Sequence, residues 1–233
     1  MTAHRSLSTL VFLFMLSSFG MAQDNIRTYD FKAGEVLDIL LLNQNSGIDS
    51  LLKVYFETAI PIAIKNGYAP NKGFSIKEAS LQGNYQPQAM VVASWPSTEI
   101  REKCLTELET KVAGFHQMRR AIWSHFNVTY YPLTEDLSFS VDMDRYVVAT
   151  AYWKEEGQKM NRFVNQWEAL AKTHKGEIAV QLTNGETTFG YRYQPDYLII
   201  STWPSAEAFE QFKAAQVKMS HKKVAQVHQF HIQ

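Results

Sequence analysis

The feature that most limits what this chain can fold into is an internal repeat at a shift of 108 residues. Tyr85-Gln86-Pro87 recurs as Tyr193-Gln194-Pro195, and Trp95-Pro96-Ser97 as Trp203-Pro204-Ser205. Glu99 and Glu102 recur as Glu207 and Glu210, and Met90-Val91-Val92 corresponds to Leu198-Ile199-Ile200. Eight identities in an ungapped window of 18 residues imply two tandem copies of one supersecondary unit.

The repeated stretch has a direct physical reading. Proline cannot donate to a ladder, so Pro87 and Pro195 mark strand starts or turns, and Pro96 and Pro204 mark strand ends. The apolar run between them suits a strand buried on both faces. Ser97 and Ser205 are natural N-caps, and Glu99 and Glu207 suit the positive end of a helix. Most of the motif is therefore folding punctuation: strand entry, strand exit and helix cap.

The remainder of each copy can be laid out around it. In the first, Val36 to Asn43 reads as a strand, and Ile48, Leu51, Leu52, Tyr55, Phe56, Ala59 and Ile60 recur at helical spacing up to Gly67. Phe74 to Tyr85 reads as extended. Ile100, Cys104, Leu108, Val112 and Phe115 stripe a second helix, and Asn127 to Tyr131 a last strand. In the second copy, Tyr146 to Trp153 is a strand, and Met160 to Ala171 a helix closed by Gly176. Ile178 to Leu182 and Thr187 to Tyr193 are extended about the turn Asn184-Gly185. Phe209 to Met219 is a helix, and Val227 to Ile232 closes the order.

Each copy reads βαββαβ, the ferredoxin-like split βαβ order of an α+β fold. A four-stranded sheet with helices on one face must cover the other. Two copies in one chain do this by forming one eight-stranded α/β barrel with helices outside. The alternative is two sheets that each pair with another molecule. The expected division is a leader over 1–22, a first repeat over 23–132, a linker over 133–144 and a second repeat over 145–233.

The leader is expected from the layout of the first 22 residues. His4 and Arg5 precede an apolar stretch from Leu7 to Phe19, and Gly20-Met21-Ala22 puts small residues at −3 and −1. The stretch is too short to span a bilayer as a helix. Export to the periplasm or the medium, with no membrane anchor after cleavage, is the expectation. The chain has 23 Lys+Arg against 23 Asp+Glu and no basic run, so nucleic acid is not an expected partner. The single cysteine, Cys104, excludes an internal disulfide and falls on the apolar face of a helix.

With the repeat and its strand-helix order in view, both copies, about 200 residues, resemble the dimeric α/β-barrel superfamily. That group includes antibiotic-biosynthesis monooxygenase-like domains and small uncharacterised relatives. One uncharacterised family in this group carries Glu-Gly before the third strand and Phe-Pro-Ser after it. Here the first copy has Gln82-Gly83 and Trp95-Pro96-Ser97, and the second has only Trp203-Pro204-Ser205. Cofactor-free and haem-degrading members use an Asn on strand 1, a Trp ending strand 3 and a His early in helix 2. Asn43 and Trp95 match the first two. The early helix-2 stretches, Thr98 to Leu108 and Ala206 to Gln216, contain no histidine. The resemblance implies a pocket between helices and sheet, and either a monomeric pseudo-dimer or a homodimer.

The candidate residues follow from both readings. Trp95 and Trp203 stand at strand ends facing helices, where a large ring with a polar N–H can line a pocket. Tyr85 and Tyr193 stand at the strand entries. They are the expected ligand-binding residues for a small apolar or aromatic ligand. Asn43, His116 and His221 are the catalytic candidates for the alternative, a cofactor-independent monooxygenase-like enzyme. A structural or interaction protein with a filled pocket is the third reading. No metal is expected: His116 and His125 are nine apart on one expected helix, and His228 and His231 point to opposite faces of a strand. No phosphate loop, nucleophile elbow or cofactor signature is present, so no cofactor is expected.

Overall fold

The computed structural model describes residues 25–77, 80–188 and 191–233. The leader expected over 1–22 lies outside the described residues. The described residues form two compact units: one of 31–74 and 87–137, the other of 25–30, 75–86 and 138–233.

The first unit holds β2 (Val36–Gln44), α1 (Asp49–Lys65), the short β3 (Ala69–Pro70) and β4 (Phe74–Ser75), β5 (Ala89–Trp95), α2 (Thr98–Lys111), α3 (Phe115–Ile122) and β6 (Trp123–Pro132). Its sheet runs β3-β5-β2-β6, with β4 also paired to β5. The second unit holds β8 (Tyr146–Lys154), α4 (Asn161–Thr173), β9 (Glu177–Thr183), β10 (Tyr197–Trp203), α5 (Ala206–Gln216) and β11 (Val224–Ile232), with sheet order β11-β8-β10-β9. Both orders place the fourth strand beside the first and the third between first and second. The chain is two tandem ferredoxin-like repeats of an α+β fold.

The repeated motif folds as its chemistry dictates. The central strands β5 and β10 each pair along their length with the first strand of their repeat, Trp95 opposite Val36 and Trp203 opposite Tyr146. Ser97 Oγ accepts from the Ile100 amide at 3.2 Å, and Ser205 Oγ from the Ala208 amide at 3.3 Å. Each side chain satisfies one of the orphan donors that begin a helix.

Several sequence expectations are corrected. The stripe from Ile100 to Phe115 is two helices, because the chain breaks at Val112 and turns through Gly114 with φ +66°. His125, expected on a helix, stands on β6 opposite Asn43. The stretch 133–144, expected to be a linker, carries β7 (Leu137–Asp142), which pairs with an unforeseen β1 (Ile26–Phe31) and stacks Phe139 on Tyr29 at 4.7 Å between ring centroids. The extended stretch expected from Phe74 to Tyr85 is a strand only over its first two residues. From Ser75 to Gln86 it belongs to the second unit, where it bonds along the outer edge of β11. Thr187 to Tyr193 contributes no named strand among its described residues.

Gly176 also has a different role from the expected one. Lys175, with φ +61°, takes the left-handed position after α4. Gly176 is there for room: a Cβ on it would sit 2.5 Å from Cζ3 of Trp203.

Candidate functional site

The first repeat contains an apolar cavity of about 110 Å³ between α1 and its sheet. Leu52, Tyr55, Phe56 and Ile60 of α1 form one wall. Leu40 and Leu42 of β2, Ala89 to Val91 of β5 and Trp123 and Phe126 of β6 form the other. Tyr68, Asn71, Gly73 and Phe74 close the edge by β3 and β4. The sequence makes this shape locally. Even-numbered β2 residues face the helices, and Leu52, Tyr55 and Ala59 stack at helical spacing along the buried side of α1. Tyr55 is fixed by Trp123, edge to face at 5.0 Å, and by Phe115 at 6.2 Å. The Arg119 guanidinium covers the Phe126 ring at 3.8 Å.

Beside the cavity lies a buried polar set. Asp38 is 4% exposed and Arg101 3%. Arg101 Nε donates to Asp38 Oδ1 at 2.9 Å, and the Trp95 indole Nε1 donates to Oδ2 at 2.9 Å. The same guanidinium lies 4.2 Å from the Tyr130 ring centroid, and its NH1 donates to Glu102 at 2.7 Å. Burial pushes the Asp38 carboxyl up from the ordinary carboxylate range, against the Arg101 charge and the two hydrogen bonds, which pull it down. Tyr68 joins the set to the cavity, with its ring 4.9 Å from that of Trp95. Burial first, then the charge of Asp38 and the Tyr55 phenol, holds the Tyr68 hydroxyl far above the ordinary phenol value.

The seven candidates named from sequence are distributed unevenly about this geometry. None of them lines the cavity. Trp95 stands behind its wall. Trp203 is fully buried, with Phe212 at 4.6 Å, Phe209 at 5.3 Å and its Nε1 donating to Ser201 Oγ at 3.0 Å. Asn43 ends β2 beside His125. His116 is half-exposed and bonded to Glu109 at 2.8 Å. His221 lies edge-on to Phe163 at 5.4 Å. Asn43 and His116 belong to the first unit and His221 to the second.

Tyr85 and Tyr193 do meet, in the second unit, at 5.5 Å between ring centroids. They surround His228 with Trp153 and Phe230, at 5.1 to 6.2 Å. His228 Nε2 is in hydrogen-bond contact with Gln226 at 2.8 Å and Asn84 at 3.3 Å, and its buried Nδ1 has no partner among the described residues. Burial pulls its pKa below the ordinary histidine value. A separate polar groove of about 560 Å³ lies near Lys154, Asn161, Asn184 and Asp196, where Lys154 and Asp196 pair at 2.8 Å.

Sequence reasoning missed Asp38, Arg101 and Tyr68. Two signals were available: an aspartate inside the apolar strand Val36 to Asn43, and an arginine in register with Cys104 and Leu108 on the buried face of a helix. Cys104 is buried, as expected, and burial raises its thiol to about 11. Among the described residues no three of His, Cys, Asp and Glu gather to hold a metal ion, and no helix is long and apolar enough to cross a membrane. A haem does not fit the first-repeat cavity: about 110 Å³ is far below a porphyrin, and no histidine lines it.

No protein-family profile matches the sequence, and no curated protein matches it. Among solved structures the chain is similar to an anthrone oxidase-like protein, at 10% identity over 88% of this chain and 94% of the other, with a TM-score of 0.46. It is also similar to a mutant chlorite dismutase from Candidatus Nitrospira defluvii, at 8% identity over 86% and 92% of the two chains, with a TM-score of 0.46.

Proposed function

We propose that the first repeat binds a small apolar or aromatic molecule of about one ring, in the cavity between α1 and the sheet. The observation that carries this reading is the cavity itself: about 110 Å³, walled by aliphatic and aromatic side chains with few polar groups. An apolar cavity of roughly 150 Å³ takes up benzene, and this one, about 110 Å³ and partly open, is of the same order. The reading is binding rather than catalysis, since His116, His221 and Asn43 all lie away from the cavity walls. The protein would do this outside the cytoplasm, with residues 1–22 removed as a leader.

The test is direct. Toluene titrated into the purified protein should quench or shift the emission of Trp123, which forms part of the cavity wall, and should raise the melting temperature. Ala89→Phe, which fills the cavity, should abolish both responses. Equal responses in the original protein and in Ala89→Phe would sink the reading. The intact mass of the protein recovered from the exported fraction tests the leader, with Gln23 expected as the first residue.

A further inference from the structure

We propose that Tyr68 determines the specificity of this cavity, its phenol hydrogen-bonding one polar group on the bound ring, so that a phenol-type ligand is favoured over a hydrocarbon of similar size. This rests on the cavity being the ligand site. Tyr68 is where the apolar cavity meets the buried polar set: it lines the one and stacks on Trp95 of the other at 4.9 Å. Trp95 is held in turn by Asp38, and Asp38 by Arg101. The Tyr68 ring therefore rests on a wall whose orientation is fixed by two hydrogen bonds to one carboxylate.

The duplication supplies an internal comparison. In register, Val148 of the second repeat stands where the first has Asp38, and Phe209 where it has Arg101. There the core closes on Trp203, whose Nε1 turns to Ser201. The fold thus accepts apolar residues at both positions. A buried ion pair is seldom a better stabiliser than well-packed apolar side chains of similar volume. Asp38 and Arg101 are accordingly not needed to build the repeat, and they accompany the cavity.

Other polar groups on the wall are less suited to reading a ligand. The Asn71 amide already donates to the carbonyl of Ala69 at 3.2 Å, and the Tyr55 ring is wedged between Trp123 and Phe115. The Tyr68 hydroxyl forms no hydrogen bond among the described residues, and the neighbouring carboxylate of Asp38 favours it as a neutral donor. A hydrocarbon ligand offers that donor nothing, and a hydroxyl or carbonyl on the ring accepts from it. Asp38, Arg101 and Trp95 are positioning residues that act through Tyr68.

The experiment is an NMR titration of the full-length mature protein with phenol and with toluene, repeated for Tyr68→Phe and for the double variant Asp38→Val/Arg101→Phe. The readout is the ratio of the two dissociation constants. Tyr68→Phe is expected to lower the preference for phenol by roughly fivefold to tenfold, the value of one buried hydrogen bond. The double variant is expected to move the ratio in the same direction, which a purely structural role would not do. Both probes binding with the ratio unmoved in Tyr68→Phe overturns the role of Tyr68 and leaves the cavity reading standing. Neither probe binding the unaltered protein overturns the cavity reading itself.

Discussion

The indole of Trp95 donates to the carboxylate of Asp38 at 2.9 Å, while its counterpart Trp203 donates to the hydroxyl of Ser201 at 3.0 Å. One repeated tryptophan is thus satisfied in two ways. In the first repeat the partner is a buried charge, which needs Arg101 and brings a polar set into the helix-sheet interface. In the second the partner is a neutral hydroxyl on the same strand, and the rest of the surroundings is aromatic. The two solutions separate a repeat with a cavity beside its tryptophan from one whose tryptophan is enclosed.

Removing one half of the buried pair is expected to be far worse than removing both. Asp38→Ala strands the Arg101 guanidinium in the interior and should cost about 3–5 kcal/mol, as broken buried pairs do. Asp38→Val/Arg101→Phe carries the second repeat's side chains and should cost much less than Asp38→Ala alone. Urea unfolding of the single variants and the double variant gives the coupling directly. A loss below about 1 kcal/mol for Asp38→Ala would show that the pair is solvated and not buried.

The fold was largely legible because its signals are local. The apolar run of β2, the stripe of Leu52, Tyr55 and Ala59, and the serine caps each lie within one element. What escaped depends on distant pairing. β1 finds its partner in β7, more than 100 residues away, so neither Ile26 to Phe31 nor Leu137 to Asp142 announces a strand by itself. Phe74 to Tyr85 reads as extended, but nothing local assigns Ser75 to Gln86 to the edge of β11. The site was less legible still. A cavity is volume left between elements, and no residue type encodes it. Trp95 was singled out for its size, yet the wall it supports is completed by Tyr68, which follows a helix-ending glycine and carries no motif of its own.

His228 should make the second repeat sensitive to acid. Its contacts are Gln226 and Phe230 on its own strand, Asn84 and Tyr85 on the neighbouring segment, Trp153 on β8, and Tyr193. The two phenols are the titratable groups among them, and none of these contacts is a carboxylate. Burial lowers the pKa of His228 in the folded protein, whereas the unfolded chain keeps the ordinary value of about 6.5. Above that value the contribution to stability is complete. As pH falls from about 6.5 towards the folded value, the unfolded state takes up a proton that the folded state refuses, and stability drops. Denaturation midpoints measured between pH 7 and 5 should fall less steeply in His228→Phe than in the original protein. Identical slopes would assign the acid sensitivity to other groups.

Gly176 tests how tightly Trp203 is enclosed. A Cβ at this position would lie 2.5 to 2.8 Å from three ring carbons of the indole. The ring is 0% exposed and is held by Phe209 and Phe212, so it has little room to retreat. Gly176→Ala should therefore destabilise the protein by about 1–3 kcal/mol, the usual cost of overpacking. Thermal unfolding followed by near-ultraviolet circular dichroism reads both the loss and the altered tryptophan environment. An unchanged midpoint would mean that the indole pocket is loose.

The pairing along the outer edge of β11 gives the last expectation. Ser75 and Gln233 exchange two backbone hydrogen bonds at 2.8 and 2.9 Å, the Lys77 amide donates to the His231 carbonyl at 3.1 Å, and Leu81 and Gln82 bond to Gln229 at 2.9 and 3.0 Å. An uncovered strand edge is a template for pairing with another chain, so this segment also protects the sheet. Lys77→Pro removes one donor at a side chain that is exposed, and leaves the apolar contacts of Leu81 in place. The amides of Gln229 and Gln233 should then exchange with solvent faster, while those in the centre of β8 keep their protection. Lys77→Ala retains the amide and should leave exchange as it was. If proline and alanine behave alike at this position, the segment is held by its side chains and the backbone pairing contributes little.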